Sequence, residues 1–364
     1  MDSIYMSPQQ YIQEEGVLDR AGELIAPLGE KPLVLGDELV AGLINARLER
    51  SFSQCGVQPS FVRFGGECTE AEVARLMAIV DREGLDAVVG TGGGKAIDTS
   101  RFVAERTRRP LITIPTSAAT CSCASAAAVL YDEKGVRLTT VDGTGSRLCL
   151  VDSRIIAEAP ARLLSSGMGD ALSKWYEGRI TASRIKMDPR VDGSVHLARH
   201  LREEIFQYGR EACADVEQKR LTPAVEKMIG VNLLLTAVAG GIGGVRVRQV
   251  GAHVFLYAMT IIEGVHELLH GEVVSFGMLV QLALEQEDAE LRNLMAFLRD
   301  IRLPLTLEAL GMGHAPEAQL AQGARRMTVE GSPIHNLPFP VSSEDVLQAI
   351  YRVDEMARSL NRRK

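Results

Sequence analysis

The sequence has no basic block beyond the terminal Arg362-Arg363-Lys364, no apolar run in its opening MDSIYMSPQQ, no regular cysteine framework, no internal repeat and no low-complexity tract. Each absence narrows the function. With 40 basic against 47 acidic residues the formal net charge is −7, which argues against a nucleic-acid partner. Six cysteines in 364 residues (Cys55, Cys68, Cys121, Cys123, Cys149, Cys213) are too sparse for a disulfide scaffold. Cys121-Ser122-Cys123 is also tighter than a CxxC metal or redox pair. The opening MDSIYMSPQQ has an acid at position 2 and no apolar h-region, so a reducing cytoplasm is the expected compartment. The most apolar stretch, 228–244, is short, glycine-rich and interrupted by Asn232, and is expected as a buried helix with no membrane involvement.

The apolar residues, 46% of the chain, are enough for two cores, and the length makes two domains the starting expectation. The clearest local signal is GTGGGKAIDTS at 90–100, which follows the apolar run Ala87-Val88-Val89 and leads into a helical pattern. Gly92, Gly93 and Gly94 permit close backbone approach to a ligand, and the helix start supplies unpaired N–H groups for an anion such as a pyrophosphate. A Walker loop would need glycine where Val89 stands and Ser or Thr where Ala96 stands, and a GxGxxG pattern would need glycine at Lys95. A tight turn without a ligand stays open at this point. Strands are expected at 31–36, 60–64, 87–90 and 110–114, alternating with helices. The second of these helices opens with a Thr69/Glu72 capping box and carries Val73, Leu76, Met77 and Val80 at helix spacing. This alternation predicts a mostly parallel sheet covered on both faces, with ligands at its carboxyl edge, where the glycine turn and 115–120 lie. Two further strands, 127–131 and 148–152, flank a polar loop at 133–147. Helical patterns follow, so the expected division is an α/β domain over 1–158 and a helical domain over 159–364.

Seven histidines include His253, His266 and His270. His266-Glu267-Leu268-Leu269-His270 matches the HExxH zinc-protease helix, but Gly271 follows at once. A second grouping takes Asp170, His253 and His270 as one carboxylate and two imidazoles, a three-ligand divalent-metal site with a place left open. Spacing alone does not select these three.

The combined segments GTGGGKAIDTS (90–100), IPTSAAT (114–120), LVDSRIIAEAPARLLSSGMGDALSKWYE (150–177), GAH (251–253), HGEVVSFGMLVQLAL (270–284) and IHNLPFPVSSEDVLQAI (334–350) resemble the glycerol dehydrogenase branch of the iron-containing (group III) alcohol dehydrogenases. The resemblance implies a Rossmann-like, dehydroquinate-synthase-like α/β domain, an all-α C-terminal domain, and a metal and substrate in the cleft between them. It places Asp37 at the adenosine end of NAD, with NADP left open. Gly92, Gly93, Gly94, Lys95, Ala96, Ile97 and Asp98 fall at the pyrophosphate. Thr116, Ser117, Ala118, Ala119, Ser125, Ala127 and Tyr131 fall along the rest of the cofactor. Asp170, His253 and His270 become ligands of one divalent metal, zinc ahead of iron, and a homo-oligomer is implied.

Three positions depart from the glycerol dehydrogenase pattern: Cys121 replaces an aspartate that contacts the polyol, Leu256 replaces a histidine, and Lys174 stands where other branches place another histidine ligand. Cys121 and Lys174 resemble the hydroxycarboxylate dehydrogenase A type. One helical turn after Asp170, Lys174 could meet a substrate carboxylate, or pair on the surface with Glu177. The expected chemistry is hydride transfer between a carbinol carbon and nicotinamide, with the metal as Lewis acid. The substrate is expected to be a small alcohol or 2-oxo acid, with Lys174 and Cys121 beside it. A polyol dehydrogenase, an NAD- and metal-dependent sugar-phosphate cyclase or lyase, and a non-catalytic nucleotide-binding homologue are the alternatives.

Overall fold

A computed structural model describes residues 7–362 except 134, 144, 186, 187 and 245–248. Its first half contains a six-stranded sheet in which every neighbouring pair is parallel, in the order β1 (Gln10–Glu14), β8 (Leu148–Asp152), β5 (Leu111–Pro115), β4 (Ala87–Gly92), β2 (Pro32–Gly36) and β3 (Ser60–Arg63). Helices α1 (Ala21–Ile25), α2 (Glu38–Gln54), α3 (Glu70–Glu83) and α4 (Gly94–Thr107) connect them. The central strand β4, Ala-Val-Val-Gly-Thr-Gly, is buried along its whole length, as a parallel strand covered on both faces requires. Strand order reverses between β2 and β4, so the crevice at their carboxyl ends is the topological switch point where such sheets bind ligands.

The α3 start follows its sequence signal in part. Thr69 accepts from the Glu72 N–H and Gly84 closes the helix in the left-handed region. The Glu72 carboxylate, however, reaches back to the Gly65 N–H and to Arg75, so the reciprocal half of the capping box is diverted to the preceding loop.

Two strands were not expected. β1 is a half-buried edge strand whose residues Gln-Tyr-Ile-Gln-Glu lack strand-like alternation; it is held by parallel pairing with β8, more than 130 residues away. The polar loop expected at 133–147 contains β7 (Arg137–Asp142), antiparallel to β6 (Ala127–Tyr131). β8 leaves that hairpin to join the main sheet.

From Ser153 onward the described elements are helices: α5 (Ser153–Glu158), α6 (Ala161–Ala182), α7 (Pro189–Glu217), α8 (Pro223–Gly230), α9 (Thr236–Gly243), α10 (Ala252–Met259), α11 (His270–Leu284), α12 (Asp288–Asp300), α13 (Glu317–Met327) and α14 (Ser343–Arg362), with short 3-10 turns between some of them. The buried helix expected at 228–244 begins earlier, at Pro223, and α8 runs into α9 through a π turn, Val231–Leu235. This rod is long and apolar enough to cross a bilayer by length and composition, and half of its apolar window is buried in the fold. Within it the buried Asn232 donates to the Ala118 and Leu164 carbonyls, tying the helical region to the loop after β5.

Glycines set the closest helix crossing. A Cβ on Gly167 would lie 1.9 Å from the Ala118 carbonyl oxygen, and one on Gly271 would lie 1.8 Å from that of Ser166. α6 and α11 therefore meet backbone to backbone, which brings residue 170 beside residue 270.

Candidate metal and cofactor cleft

A cleft of about 690 Å³ opens at the carboxyl edge of the sheet and runs to α6, α10 and α11. At one end β4 stops at Gly92, whose φ of +110° an L side chain rarely adopts, and Gly93 precedes α4 in extended conformation. The first-turn N–H groups of α4 have no helix carbonyl to bond and offer an anion site. Of the residues expected around a pyrophosphate, Gly93, Gly94, Lys95, Ala96 and Asp98 line the cleft. Gly92 lies behind them, and the helix period turns Ile97 into the apolar core. Asp98 lines the cleft with both oxygens engaged, accepting from the Ser122 hydroxyl (2.5 Å) and the Val129 N–H (3.0 Å). It fastens α4 to β6. Burial pushes its carboxyl up to about 6, against the Ser122 bond and the nearby Arg101.

Asp37 caps α2 by accepting from the Val40 N–H (2.8 Å) and lines the far end of the cleft. Ser117, Ala119, Ser125, Ala127 and Tyr131 line its middle. Thr116, whose backbone N–H bonds to Gly92 (3.3 Å), and the fully buried Ala118 do not line it.

At the other end, Asp170 on α6, His253 on α10 and His270 at the first position of α11 place one ligand atom each within 4.8 Å of one another. Both imidazole Nε2 atoms face the same Asp170 oxygen, at 3.6 Å for His253 and 3.7 Å for His270. Zinc bonds of about 2.1 Å in tetrahedral geometry separate ligand atoms by roughly 3.4 Å, close to the two separations from Asp170, so these three residues could hold a divalent ion.

Each ligand is held. α11 begins at His270 because Glu272 accepts the Leu269 N–H (2.8 Å) and is itself gripped by Arg162 through two bonds of 2.6 and 2.7 Å. Glu177, one heptad after Asp170 and fully buried, accepts from the Val250 and His253 N–H groups with one oxygen (2.7 and 3.1 Å). Its other oxygen lies 2.5 Å from His253 Nδ1. With Nδ1–H donating to Glu177, the Nε2 lone pair faces the cluster. The surface Lys174–Glu177 pair considered from sequence does not form. Burial on one helix face sends Lys174 to Asp170 and Glu177 to His253 instead.

Lys174 is mostly buried and its Nζ contacts Asp170 Oδ1 (2.9 Å), the Asp170 carbonyl (3.4 Å) and Ser173 Oγ (3.2 Å). Burial alone would raise the Asp170 carboxyl; Lys174, His253 and His270 outweigh it and hold it well below the usual range. Burial lowers His270 to about 4, leaving a neutral imidazole. It acts on His253 in the same direction, but Glu177 and Asp170 override it and raise that ring.

The HExxH match is not a zinc-protease helix: Val265–Glu267 is a single 3-10 turn and α11 starts afresh at His270, so the motif does not lie on one continuous helix.

The iron-containing alcohol dehydrogenase family model matches residues 8–153. A glycerol dehydrogenase of Pseudomonas putida is 34% identical across 98% of this chain and 99% of its own. Hydroxycarboxylate dehydrogenase A of Escherichia coli K12 is 26% identical across 96% and 97%. The crystal structure of a probable glycerol dehydrogenase from Sinorhizobium meliloti superposes with a TM-score of 0.89 at 34% identity, covering 98% and 99% of the two chains. The chain belongs to the iron-containing alcohol dehydrogenase family. As a member it is an oxidoreductase acting on CH–OH groups of small alcohols. Its departures from the glycerol dehydrogenase pattern now have positions: Cys121 lines the cleft beside Lys174, whereas Leu256 is buried in the helical core.

Among the residues given no functional role from sequence are Glu177, buried behind the cleft, and Arg137, which lines it. Glu177 sat in a segment readable as helix surface, although its i+7 spacing from Asp170 marks the same face. Arg137 sat in an apparent loop, yet lies on β7 at the cleft with its guanidinium 4.2 Å from the Tyr257 ring centroid.

Proposed function

We propose that this chain is a metal-dependent, NAD(P)-linked dehydrogenase interconverting a small alcohol with its carbonyl compound, a 2-hydroxy acid and 2-oxo acid ahead of a polyol. The observation that carries this reading is the Asp170–His253–His270 cluster opening onto the same cleft as the Gly93–Gly94 helix start. A divalent ion held by those three residues would supply Lewis-acid polarisation of a carbonyl oxygen, and zinc suits the one-carboxylate, two-imidazole set. The protein's own contributions are positional. α4 presents first-turn N–H groups to a dinucleotide pyrophosphate, and Asp37 would meet the adenosine ribose. Glu177 fixes the tautomer and plane of His253. Lys174 keeps Asp170 ionised inside a dry site.

The acid preference is supported by an uncharged Cys121 and the Arg137 guanidinium, which line the same cleft. The polyol reading is favoured by full-length similarity to glycerol dehydrogenases. NADH oxidation by zinc-loaded protein decides between them, with short 2-oxo acids in one panel, dihydroxyacetone in the other and a chelator control. Chelator-sensitive turnover of the oxo acids is expected; preference for dihydroxyacetone would overturn the acid assignment, and inactivity toward both would overturn the dehydrogenase reading.

A further inference from the structure

We infer that Arg137, on the β6–β7 hairpin, is the residue that recognises an anionic group of the substrate, a task that Lys174 cannot perform as it stands. The inference deepens the dehydrogenase reading above by naming a specificity residue for that cleft.

The argument rests on donor supply and position. Lys174 has three N–H donors, and its three contacts are all with the protein, at Asp170 and Ser173. A substrate carboxylate would have to displace Asp170 from its buried counter-ion. Arg137 has five donors in a planar fork. Two of its nitrogens, Nε and one Nη, converge on a single oxygen, Thr140 Oγ1, at 3.1 and 2.9 Å. Among the described residues no carboxylate forms an ion pair with Arg137, so the outer edge of the fork retains its donors. Half-buried, it lines the cleft that also holds the metal cluster.

Tyr257 fixes where that charge sits. The Arg137 guanidinium lies 4.2 Å from its ring centroid, which is itself 6.4 Å from that of His253. Tyr257 stands one helical turn after His253 on α10, so a strand hairpin from the sheet domain lays a cation beside the helix that carries a metal ligand. A carbonyl compound seated at the Asp170–His253–His270 cluster would thus extend toward a guanidinium able to form two parallel bonds with a carboxylate or a phosphate.

The test compares wild type, Arg137→Gln and Arg137→Lys in zinc-loaded, full-length protein. Substrates are a series of 2-oxo acids of increasing chain length, dihydroxyacetone phosphate, and uncharged dihydroxyacetone. For Arg137→Gln, the ratio of kcat/KM on the anionic substrates to that on dihydroxyacetone should fall by about 10- to 100-fold, the span of a charge-assisted hydrogen bond. The loss should be carried by KM, with Arg137→Lys intermediate. Whether the oxo acids or the phosphate lose more identifies which oxyanion the fork receives. An equal loss on charged and uncharged substrates overturns the assignment, as does a rise in the KM for NADH, which would place the guanidinium on the cofactor pyrophosphate. Thermal shift by the corresponding 2-hydroxy acids gives a readout free of turnover. Stabilisation seen in wild type and lost in Arg137→Gln, in a protein without NADH oxidation, supports the anion site while the dehydrogenase reading falls. No difference between the two proteins in either readout removes the anion site itself.

Discussion

Gly271→Ala tests whether backbone contact between α6 and α11 sets the ligand geometry. The added Cβ would lie 1.8 Å from the Ser166 carbonyl oxygen and 2.6 Å from its carbon, where ordinary contact begins at 3.4 Å. Neither neighbour is a side chain able to swing away, so the helices must part by about 1.5 Å. His270 precedes Gly271 in sequence, and Asp170 lies one turn beyond Ser166 on α6. The 3.7 Å between His270 Nε2 and Asp170 would therefore widen, whereas metal–ligand bonds tolerate changes of only about 0.2 Å. The expected outcome is a zinc dissociation constant raised by at least about 100-fold, together with a stability loss on the order of 1–3 kcal/mol from overpacking. Competition against a chromogenic chelator reads the first and thermal melts with and without zinc read the second. Gly42→Ala on α2 is the control: its Cβ would meet nothing within 4 Å, so it should leave zinc binding unchanged and gain up to about 1 kcal/mol of helix propensity. Wild-type zinc affinity in Gly271→Ala would refute the reasoning.

Glu177→Gln should weaken zinc binding by about 10- to 100-fold, because His253 loses its charged orienting partner; unchanged affinity in the same chelator competition would show that packing alone holds the ring. Lys174→Met should shift two quantities in opposite directions. The zinc-free protein loses about 3–5 kcal/mol, since Asp170 is left as a buried charge without its cation, while zinc binds about tenfold or more tightly once its competitor for the carboxylate is gone. Weaker zinc binding in that variant would mean that Lys174 supports the ion. Asp98 gives a pH signature. Its carboxyl, near 6 in the fold against a usual 3.8, makes the native state bind more protons than the unfolded chain between those values. Its contribution to stability therefore falls as pH rises from about 4 to 6, by on the order of 3 kcal/mol in total. An asparagine side chain does not titrate, so urea unfolding should show wild type losing ground to Asp98→Asn across that window and no further change above it; a constant difference would count against a buried, protonatable Asp98.

The sheet was legible in sequence wherever strands are buried on both faces, because such strands read as short apolar runs and their turns as glycine: β2, β4 and β5 are examples. It was illegible where half-buried edges are held by distant pairing. Gln10–Glu14 is mainly polar and finds its partner only after the chain has closed on itself, and the exposed residues of Arg137–Asp142 resemble a loop. The π turn inside an apolar run left no mark on composition. In the cleft, the glycine turn announced a candidate anion site by local chemistry. The metal cluster did not, since Asp170, His253 and His270 come together through the crossing of α6, α10 and α11, and only the resemblance of whole segments selected them. Helix spacing linked Asp170 to Lys174 correctly but left the partner of Glu177 undecided, because the direction of burial belongs to packing and not to the helix itself.

The Lys174–Asp170 pair also bears on how the molecule matures. A carboxylate aimed into a dry cluster would ordinarily hold the helices apart until an ion arrived. Here an ammonium of the same helix already neutralises it. The expected consequence is that folding and metal acquisition are separate events. The chain would reach its final shape before any ion binds, and activity lost to a chelator should return on adding metal to native protein, with no need to refold it. A bound ion would then be a late and exchangeable arrival, chosen by what the surroundings supply.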